Sequence, residues 1–568
     1  MQYKITFSKP TQHLIHISLK IEVSSKDKET FYLPMWRPGR YEAANYSKNI
    51  LGFMATHEKG TPLSWIKKTA HQWEIDTKNA DEITISYSYF AHAMDAGNSW
   101  YDDELIYINF INCLMFTQES LGDSCIVDID IPDNYQIATS LDYQDKQLLA
   151  DNYHDLVDSP IVASEKLSHI DYTVDSTVFN IWVYGIHDLN LKKVKADFER
   201  FSKSQIDCFG EFPEKEYHFL LLALPNKFYH GVEHGASTVI CLGPGKEMSS
   251  KALYTSLLGV SSHELFHAWN IIKIRPKEMQ PYDFSKSITF NTGYVAEGFT
   301  TYYGDLFLSR SNVFDIEAYF NELNTIFNRH FWNYGRLNES VMTSSANLWV
   351  DGYEAGAPNK KSSIYVEGAM IALCLDLKLR EATSNNKSLD DIMRLLWKNH
   401  GKTQTGYSHL DLLNYAERVA NRSFSDFFEK YISGTADKDT LLNECLNVVG
   451  CKITTTPNEK LLHGALGLRT VDEDAGLRVI SIAPGSVGED LFSINDVIVE
   501  INNEKAGDIA HGINTTLKVE RYGKQLSFEI SADNVKSSTF YPNYKICKQE
   551  SASDSQKKAF ELWCGQIF

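Results

Sequence analysis

The feature that most limits what this chain can fold into is a pair of histidines, His263 and His267, in the segment SSHELFHAWN at residues 261–270. Residues 252–270 contain no proline and a single glycine. Their apolar side chains recur at helical spacing, so the segment predicts a helix. Side chains four positions apart on a helix lie on one face. The sequence therefore predicts that the two imidazoles point toward the same place.

Two imidazoles that converge in this way can hold one divalent ion at about 2.0–2.1 Å. Glu264 follows His263 directly and is rotated by one residue around the helix. It cannot easily be a third ligand, but it can reach a water held on the ion. This is the zincin pattern H-E-x-x-H, in which the glutamate is the general base. The alternative is that two histidines share a buried helix face without a metal.

A catalytic zinc site needs a third protein ligand and leaves one position open for water. Glu297 is the strongest candidate because it is a lone acid in the apolar and aromatic segment NTGYVAEGFTTYYGDLF, residues 291–307. Burying an unpaired carboxylate costs free energy, and a cation would offset that cost. The alternative for Glu297 is a partly exposed helix acid. The less convincing rival ligands are Glu278, Asp283 and Asp305.

Two further segments offer groups for catalysis and for substrate binding. Tyr365 stands at the start of the strongly apolar helix YVEGAMIALCLDLKLR, where its hydroxyl can donate to the oxyanion of a tetrahedral intermediate. Glu233, in YHGVEHGAST at residues 229–238, can hold a free α-amino group by a charge-assisted bond. Taken alone, Tyr365 is more often a packing residue and Glu233 a surface acid. His230 and His234 make only a weak case for a second metal.

The pattern of apolar residues divides the chain, whose 568 residues predict roughly three or four domains. Residues 1–165 alternate apolar and polar side chains, as in LIHISLKIEV, and predict a β-sandwich. Residues 166–455 combine an early sheet with an α-rich block, residues 456–540 return to short strands, and residues 541–568 predict a C-terminal tail with a short helix. Helices are predicted at 251–270, 295–309, 314–330, 364–382, 389–399, 408–420 and 424–432.

The charge and the cysteines indicate which partners and which compartment to expect. A net charge of −19 should repel nucleic acid and anionic membranes and suit a cationic peptide amino terminus. The nine cysteines are scattered without a C-x-x-C pair, which predicts buried free thiols in a reducing compartment. We find neither a signal-peptide pattern nor an apolar run long enough to span a bilayer. The expected location is the cytoplasm, and oligomeric state stays open.

Together these segments resemble the glycyl aminopeptidase family of PDZ-containing gluzincin zinc metallopeptidases, which is related to aminopeptidase N. The family's zinc helix is similar to HELFHAWNIIKIRP, and its third-ligand helix is similar to EGFTTYY. Its tyrosine helix and its G-G-x-E-H segment are similar to YVEGAMIALCLDLKLR and HGVEHGAS. An amino-terminal P-x-W-x-P-G-x-Y strand and turn is similar to LPMWRPGRYEAANYSKNI. The resemblance covers nearly the whole chain in the family's order.

The resemblance implies a multidomain α+β protein with an N-terminal β-sandwich, an α-rich thermolysin-like (gluzincin) catalytic domain and a C-terminal PDZ-like domain. It implies an aminopeptidase that uses one Zn²⁺ per chain to remove a small first residue, Gly or Ala, from peptides. The implied roles are zinc ligands for His263, His267 and Glu297, general base for Glu264, transition-state stabilisation for Tyr365, and substrate binding for Glu233, Gly231 and His234.

The sequence departs from the family pattern at several positions. His230 stands where many relatives have a glycine, and Glu367 precedes Gly368 where a lysine is frequent. In the PDZ-like region, a loop at 465–468 would present backbone N–H groups to a peptide carboxy terminus beside a strand open to β-augmentation. Asn495 stands where PDZ domains have a glycine. Peptide binding by this region and a purely structural role both stay open.

Two other function classes compete with the aminopeptidase. One is a zinc endopeptidase that captures substrates by their carboxy termini at the PDZ-like domain, and cleavage of an acetylated peptide would favour it. The other is an inactive peptide-binding protein with a vestigial zinc site, and a purified protein without bound zinc would favour that.

Overall fold

The fold, taken from a computed structural model, has three parts: an amino-terminal sheet-rich region, a helical region built beside a five-stranded sheet, and a carboxy-terminal strand-rich unit. In the part of the chain that the structure describes, no helix combines the length and hydropathy needed to cross a membrane. The nine cysteines form no disulfide, and all but Cys547 are buried. The structure describes residues 1–23, 27–78, 80–354, 356–507, 510, 512–535 and 539–568.

The amino-terminal region carries its strands in three sheets, which share one apolar core. The alternation predicted for LIHISLKIEV is present in the second strand, where Ile15, Ile17 and Leu19 are buried. The sheets have the orders β12-β13-β10-β1-β2-β7-β4, β11-β14-β9-β8 and β3-β6-β5. The elements are β1 (Gln2–Phe7), β2 (Leu14–Glu22), β3 (Lys28–Tyr32), β4 (Ile50–His57), β5 (Trp65–Thr69), β6 (Gln72–Asp76), β7 (Glu82–Phe90), β8 (Trp100–Tyr101), β9 (Ile106–Ile108), β10 (Cys125–Ile129), β11 (Gln136–Ala138), β12 (Asp142–Gln144), β13 (Gln147–Ala150), α1 (Tyr153–Val157) and β14 (Ile161–Ser164).

The helical region begins with a five-stranded sheet of order β15-β16-β17-β19-β18, in which β18 is an edge strand. Its strands are β15 (Ser168–Val174), β16 (Thr177–Tyr184), β17 (Glu216–Ala223), β18 (Phe228–Glu233) and β19 (Ser237–Gly243). Its helices are α2 (Leu191–Phe209), α3 (Lys251–His267), α4 (Thr300–Arg310), α5 (Ile316–Phe331), α6 (Val341–Ala346), α7 (Leu348–Asp351), α8 (Ile364–Ala382), α9 (Leu389–Leu396), α10 (His409–Ala420), α11 (Ser425–Phe428) and α12 (Asp439–Val448).

Each helix predicted from residue 251 onward is present; the one at 364–382 has the predicted ends, and the others differ at one end or both. Helix α3 stops at His267, because the chain turns sharply over the next three residues to bring Asn270 against the helix that follows. The helix predicted at 295–309 begins as a π-helical turn, Tyr294–Phe299, and continues as α4. Helices α9 and α11 also pass into π-helical turns, Trp397–Gly401 and Glu429–Ser433.

The carboxy-terminal unit contains a sheet that is separate from those already described and has its own apolar core. The sheet has the order β21-β22-β23-β25-β26, and β24 pairs with β23. The elements after α12 are β20 (Cys451–Thr456), β21 (Leu468–Glu473), β22 (Gly476–Ile482), α13 (Val487–Leu491), β23 (Val497–Ile501), β24 (Glu504–Lys505), β25 (Thr515–Arg521), β26 (Lys524–Ile530), β27 (Asn543–Lys548) and α14 (Asp554–Cys564).

The last segment, predicted as a C-terminal tail with a short helix, packs against the rest of the chain. Strand β27 pairs antiparallel with β20, and the predicted short helix is α14. Trp563 of α14 is fully buried, and its indole N–H donates to the hydroxyl of Tyr302, 2.9 Å away in the helical region. The apolar face of α14 predicts burial, but the sequence pattern does not reveal which surface covers it.

The amino-terminal region is fixed to the helical region by a tryptophan. Trp36 is fully buried and donates its indole N–H to the carbonyl of Asp283 at 2.9 Å. Its ring meets those of Tyr282 and Trp349 edge to face, at centroid distances of 5.4 and 5.8 Å. Such aromatic pairs stabilise the contact by about 0.5–1.5 kcal/mol beyond the effect of burying their surface. This contact sets the position of the turn that follows Trp36.

Candidate active site

The two histidines of the H-E-x-x-H segment lie one turn apart on α3 and face each other, as predicted. Their Nε2 atoms are 3.1 Å apart. Helix α4 packs closely on this turn at Gly304, where a β-carbon would lie 3.2 Å from the Cα of His263. His267 is buried, and the side chain of His263 is about one-fifth exposed, which leaves one side of the pair open.

Glu297 reaches the same point from the π-helical turn that precedes α4. Its Oε2 lies 3.4 Å from Nε2 of His267 and 3.8 Å from Nε2 of His263. Burial alone would raise the pKa of Glu297, but the facing imidazoles lower it below its ordinary range. Single π-helical turns within helices are rare and often lie at functional sites. Here the wider turn carries the carboxylate that faces the histidines.

Asn270 connects the two elements that carry these three side chains. Its backbone carbonyl lies 2.8 Å from Nδ1 of His267, so it can accept the Nδ1–H and leave Nε2 with a free lone pair. Its side-chain amide donates to the carbonyls of Val295 and Ala296 and to the hydroxyl of Thr300, at 2.8, 3.2 and 3.0 Å. Asn270 therefore orients one imidazole and holds the turn that bears Glu297.

The donor set fits a zinc ion. Two nitrogens and one carboxylate oxygen are typical catalytic zinc ligands, and tetrahedral bonds of about 2.0–2.1 Å place ligand atoms about 3.3–3.4 Å apart. The three separations among His263, His267 and Glu297 lie between 3.1 and 3.8 Å. Although burial disfavours a charged imidazole, the carboxylates of Glu297 and Glu233 raise the pKa of His267 above its ordinary value. The cluster therefore favours positive charge at this point.

Glu264 and Glu233 form a second acidic group beside the first. Ligand atoms of Glu233, Glu264 and His267 all lie within 4.8 Å of one another. Oε2 of Glu264 and Oε1 of Glu233 are buried and have no hydrogen-bond partner in the structure. Burial raises the pKa of Glu264 well above its ordinary value. Both carboxylates therefore have a free acceptor atom.

The edge strand β18 brings Glu233 to this point, as the sequence predicted. Gly231 of that strand lies directly against α3, because a β-carbon there would overlap Oε1 of Glu264 and lie 2.7 Å from Val260. Glu233 ends the strand and is 3% exposed. The absence of a side chain at Gly231 thus lets the edge strand run close to the carboxylate of Glu264.

His234 and His230, the neighbours of Glu233, do not complete a second metal site. Nδ1 of His234 lies 3.0 Å from Oδ1 of Asp158, and Nδ1 of His230 lies 3.7 Å from Oδ1 of Asp95. In the described part of the chain, only two groups have ligand atoms close enough to share an ion, and both include His267. The rival ligands Glu278, Asp283 and Asp305 belong to neither group.

Tyr365 begins α8 and is half-buried beside the acidic cluster. Burial raises the pKa of its phenol well above the ordinary value, and Glu297, Glu233 and Glu264 act in the same direction. The phenol therefore stays protonated at neutral pH and can donate a hydrogen bond. Helix α8 approaches the Glu297 turn through two glycines, since a β-carbon on Gly298 would overlap the Cα of Gly368.

This glycine contact makes a testable prediction about stability. Gly298→Ala should lower the free energy of unfolding by about 1–3 kcal/mol, because the added methyl group forces two packed helices apart. Gly259→Ala is the matched control. Gly259 lies on α3, and a β-carbon added there would be 3.9 Å from its nearest neighbour, Oδ1 of Asp305. This substitution should stabilise the protein by about 0.5–1 kcal/mol. Chemical denaturation of both variants measures the difference, and equal effects would contradict the proposed contact.

A cavity of about 980 Å³ opens between the amino-terminal and helical regions, and Glu233 contributes to its lining. Asp158, His234, Arg275 and Tyr282 contribute to its lining, but none of the three candidate ligands does. The cluster around His267 is the candidate site, because among the described residues groups of three or more possible metal ligands are found only there.

Two family models match the sequence: the Peptidase M61 N-terminal domain over residues 2–165, and M61 glycyl aminopeptidase over residues 256–371. Among solved structures, an aminopeptidase N family protein from Idiomarina loihiensis is 23% identical, with 99% of each chain covered and a TM-score of 0.89. An M1 zinc metallopeptidase from Deinococcus radiodurans is 14% identical over 77% of this chain and 94% of its own, with a TM-score of 0.46. The first of these structures has the same fold. No curated protein matches the sequence.

Proposed function

We propose that this chain, which matches the Peptidase M61 N-terminal domain model and the M61 glycyl aminopeptidase model, belongs to that family and is a zinc-dependent aminopeptidase. It would remove the first residue, glycine or alanine, from peptides. The observation that carries the proposal is that His263, His267 and Glu297 converge on one point, with Glu264 and Glu233 beside it. The preference for a small first residue rests on the family alone.

In this proposal, His263, His267 and Glu297 hold one zinc ion per chain. When bound, zinc supplies a Lewis acid for the scissile carbonyl and for the attacking water. The protein's task is to hold these ligands in place before substrate arrives. Asn270 supports this role, because its hydrogen bonds orient the imidazole of His267 and join it to the turn that bears Glu297.

Glu264 acts as the general base and then as the acid. Its carboxylate takes a proton from the attacking water and passes it to the leaving amine. Burial raises the pKa of this carboxyl group. A raised pKa suits both transfers, because a group that accepts and then donates a proton works best when its pKa lies closer to the operating pH. Its unpartnered Oε2 is the acceptor for the first transfer.

Tyr365 and Glu233 bind two different groups of the substrate. The hydroxyl of Tyr365 donates to the developing oxyanion, where a hydrogen bond stabilises the transition state more than the ground state. Glu233 accepts hydrogen bonds from the α-ammonium group of the substrate, which restricts cleavage to the first peptide bond. Gly231 and His234 flank it on the same edge-strand segment, where a peptide can lie alongside β18.

We further propose a domain division into an N-terminal β-sandwich at 1–165, a catalytic domain at 166–455 and a PDZ-like domain at 456–540, some residues of which lie outside the described part. Strand β21 supports the last assignment, because it is an edge strand that pairs with β22 alone among the strands of the described residues. Asn495 adopts φ 71°, and asparagine tolerates this left-handed conformation better than most residues. It can therefore replace the glycine of the PDZ pattern without loss of the turn.

The function can be tested with amino-acyl arylamides and peptides, with and without a chelator. Glycyl and alanyl substrates should be cleaved, N-acetylated copies should not, and a chelator should abolish activity until zinc is restored. An acetylated peptide is the informative control, since its cleavage would identify an endopeptidase and remove the role of Glu233. A zinc-loaded protein that cleaves neither set would refute the proposal.

A further inference from the structure

We propose that Tyr41, in the amino-terminal sheet-rich region, binds substrate: its hydroxyl forms a hydrogen bond with the α-ammonium group beside Glu233. The inference rests on the proposed aminopeptidase function and deepens it. It also gives a role to the segment PMWRPGRY, residues 34–41, which that function does not otherwise use.

The segment is fixed against the helical region at its beginning. The backbone N–H of Met35 donates to the carbonyl of Phe284 at 2.8 Å, and the indole of Trp36 donates to the carbonyl of Asp283 at 2.9 Å. The carbonyl of Met35 in turn accepts from the N–H of Ala44 at 2.8 Å, which closes the turn. The backbone between Trp36 and Ala44 therefore has a defined position relative to the catalytic cluster.

Gly39 brings the backbone of this turn into contact with Glu233. Its φ of +75° lies in the left-handed region that favours glycine, and a β-carbon there would overlap Oε2 of Glu233. Any side chain would displace the carboxylate. The amino-terminal region thus forms a wall of the recess in which Glu233 lies.

Tyr41 follows Gly39 by two residues and has an unsatisfied hydroxyl. The residue is fully buried, and its hydroxyl has no hydrogen-bond partner in the structure. Its ring packs on Phe290 at a centroid distance of 5.0 Å, and its backbone N–H donates to the hydroxyl of Tyr353 at 3.0 Å. Both ends of the residue are therefore held. Leaving a buried hydroxyl unpaired costs about 1–3 kcal/mol, so a bound partner would recover that cost.

The charged groups that act on the Tyr41 phenol identify the chemistry of that partner. Burial raises its pKa well above the ordinary value, and the carboxylates of Glu297 and Glu233 act in the same direction. The phenol is therefore neutral and lies among acidic groups. A phenolic hydroxyl has one proton to donate and lone pairs to accept with, so Tyr41 can donate to a carboxylate and accept from a cation.

Among the described residues, the buried polar atoms that lack partners include the hydroxyl of Tyr41, Oε1 of Glu233 and Oε2 of Glu264. An ammonium group brings three N–H donors and one positive charge. In the assignment made here, Glu233 and Tyr41 accept from the ammonium, while Glu264 remains with the attacking water. The amino terminus of the substrate is then held by one group from the amino-terminal region and one from the helical region.

The test measures binding rather than turnover. In the zinc-loaded Glu264→Gln protein, calorimetry should show that Gly-Ala-Ala amide binds more tightly than its N-acetyl copy. Adding Tyr41→Phe should reduce that preference by about tenfold or more, because a hydrogen bond to a charged group is lost. The affinity for the acetylated copy should not change. A general structural defect would weaken the binding of both ligands.

Tyr87→Phe, also on the Glu264→Gln background, is the matched control. Tyr87 lies in the same sheet-rich region and donates its hydroxyl to the carbonyl of Cys113 at 2.6 Å, so its loss should leave the preference unchanged. If Tyr41→Phe also leaves the preference unchanged, the inference is wrong while the proposed function stands. If Glu264→Gln itself shows no preference for the free amine, the proposed function fails and the inference fails with it.

Discussion

Replacing Glu264 with glutamine is expected to lower kcat on a glycyl arylamide by about 10²–10⁴-fold, the usual contribution of a general base. Glutamine has the same shape as glutamate but cannot take a proton from water. The ligand atoms of His263, His267 and Glu297 are untouched by the change. Zinc content should therefore stay at one ion per chain. Steady-state kinetics and metal analysis of the same preparation measure both quantities.

Glu278→Gln is a control for this comparison. Glu278 is an exposed acid that belongs to neither candidate metal group, so the same chemical change there should leave kcat and zinc content unaltered. A Glu264→Gln protein that keeps its zinc and stays within tenfold of the wild-type rate would show that another group takes the proton. The general-base assignment would then be wrong even if the metal site is right.

Replacing Glu297 with glutamine should act on the metal itself. The neutral amide loses the negative charge that faces both imidazoles at 3.4 and 3.8 Å. Loss of a supporting hydrogen bond around a zinc site already costs about 10–100-fold in affinity, so loss of a direct ligand should cost more than about 100-fold. Dialysis against zinc buffers of graded concentration, followed by metal analysis, measures the affinity.

The two substitutions should therefore separate two roles. Glu264→Gln is expected to be inactive with zinc bound, whereas Glu297→Gln is expected to lose zinc and to regain part of its activity when zinc is added in excess. A Glu297→Gln protein that binds zinc as tightly as the wild type would remove Glu297 from the ligand set. In that case His263 and His267 would need another third ligand.

Much of the candidate site could be predicted from the sequence because its signals are local. The i, i+4 spacing of His263 and His267 requires only that the segment is helical, and α3 is. An acid within an apolar segment needs a positive partner when buried, which predicts a cation at Glu297. In the structure the carboxylate of Glu297 faces the two histidines. The sequence predicts an edge strand at Glu233, and β18, which ends at this residue, is an edge strand. The catalytic roles of these residues remain predictions.

Other features depend on contacts between residues far apart in the chain. Asn270 looks like an ordinary polar residue after a helix, and only its bonds to the Glu297 turn reveal its part in the site. The docking of α14 and the approach of the turn at Gly39 to Glu233 also join distant segments. No periodicity or spacing encodes these contacts, since each depends on which surfaces meet after the elements have formed.

The helix that carries the histidine pair, the acid that faces it, and the alternation of strands and helices along the chain can all be read from local patterns. Periodicity and the cost of burying charge act over a few neighbouring residues, so they can be recognised without a structure. The contact of an amino-terminal turn with Glu233 and the burial of the last helix become visible only in the folded chain. Both depend on complementary packing between surfaces that lie hundreds of residues apart in sequence.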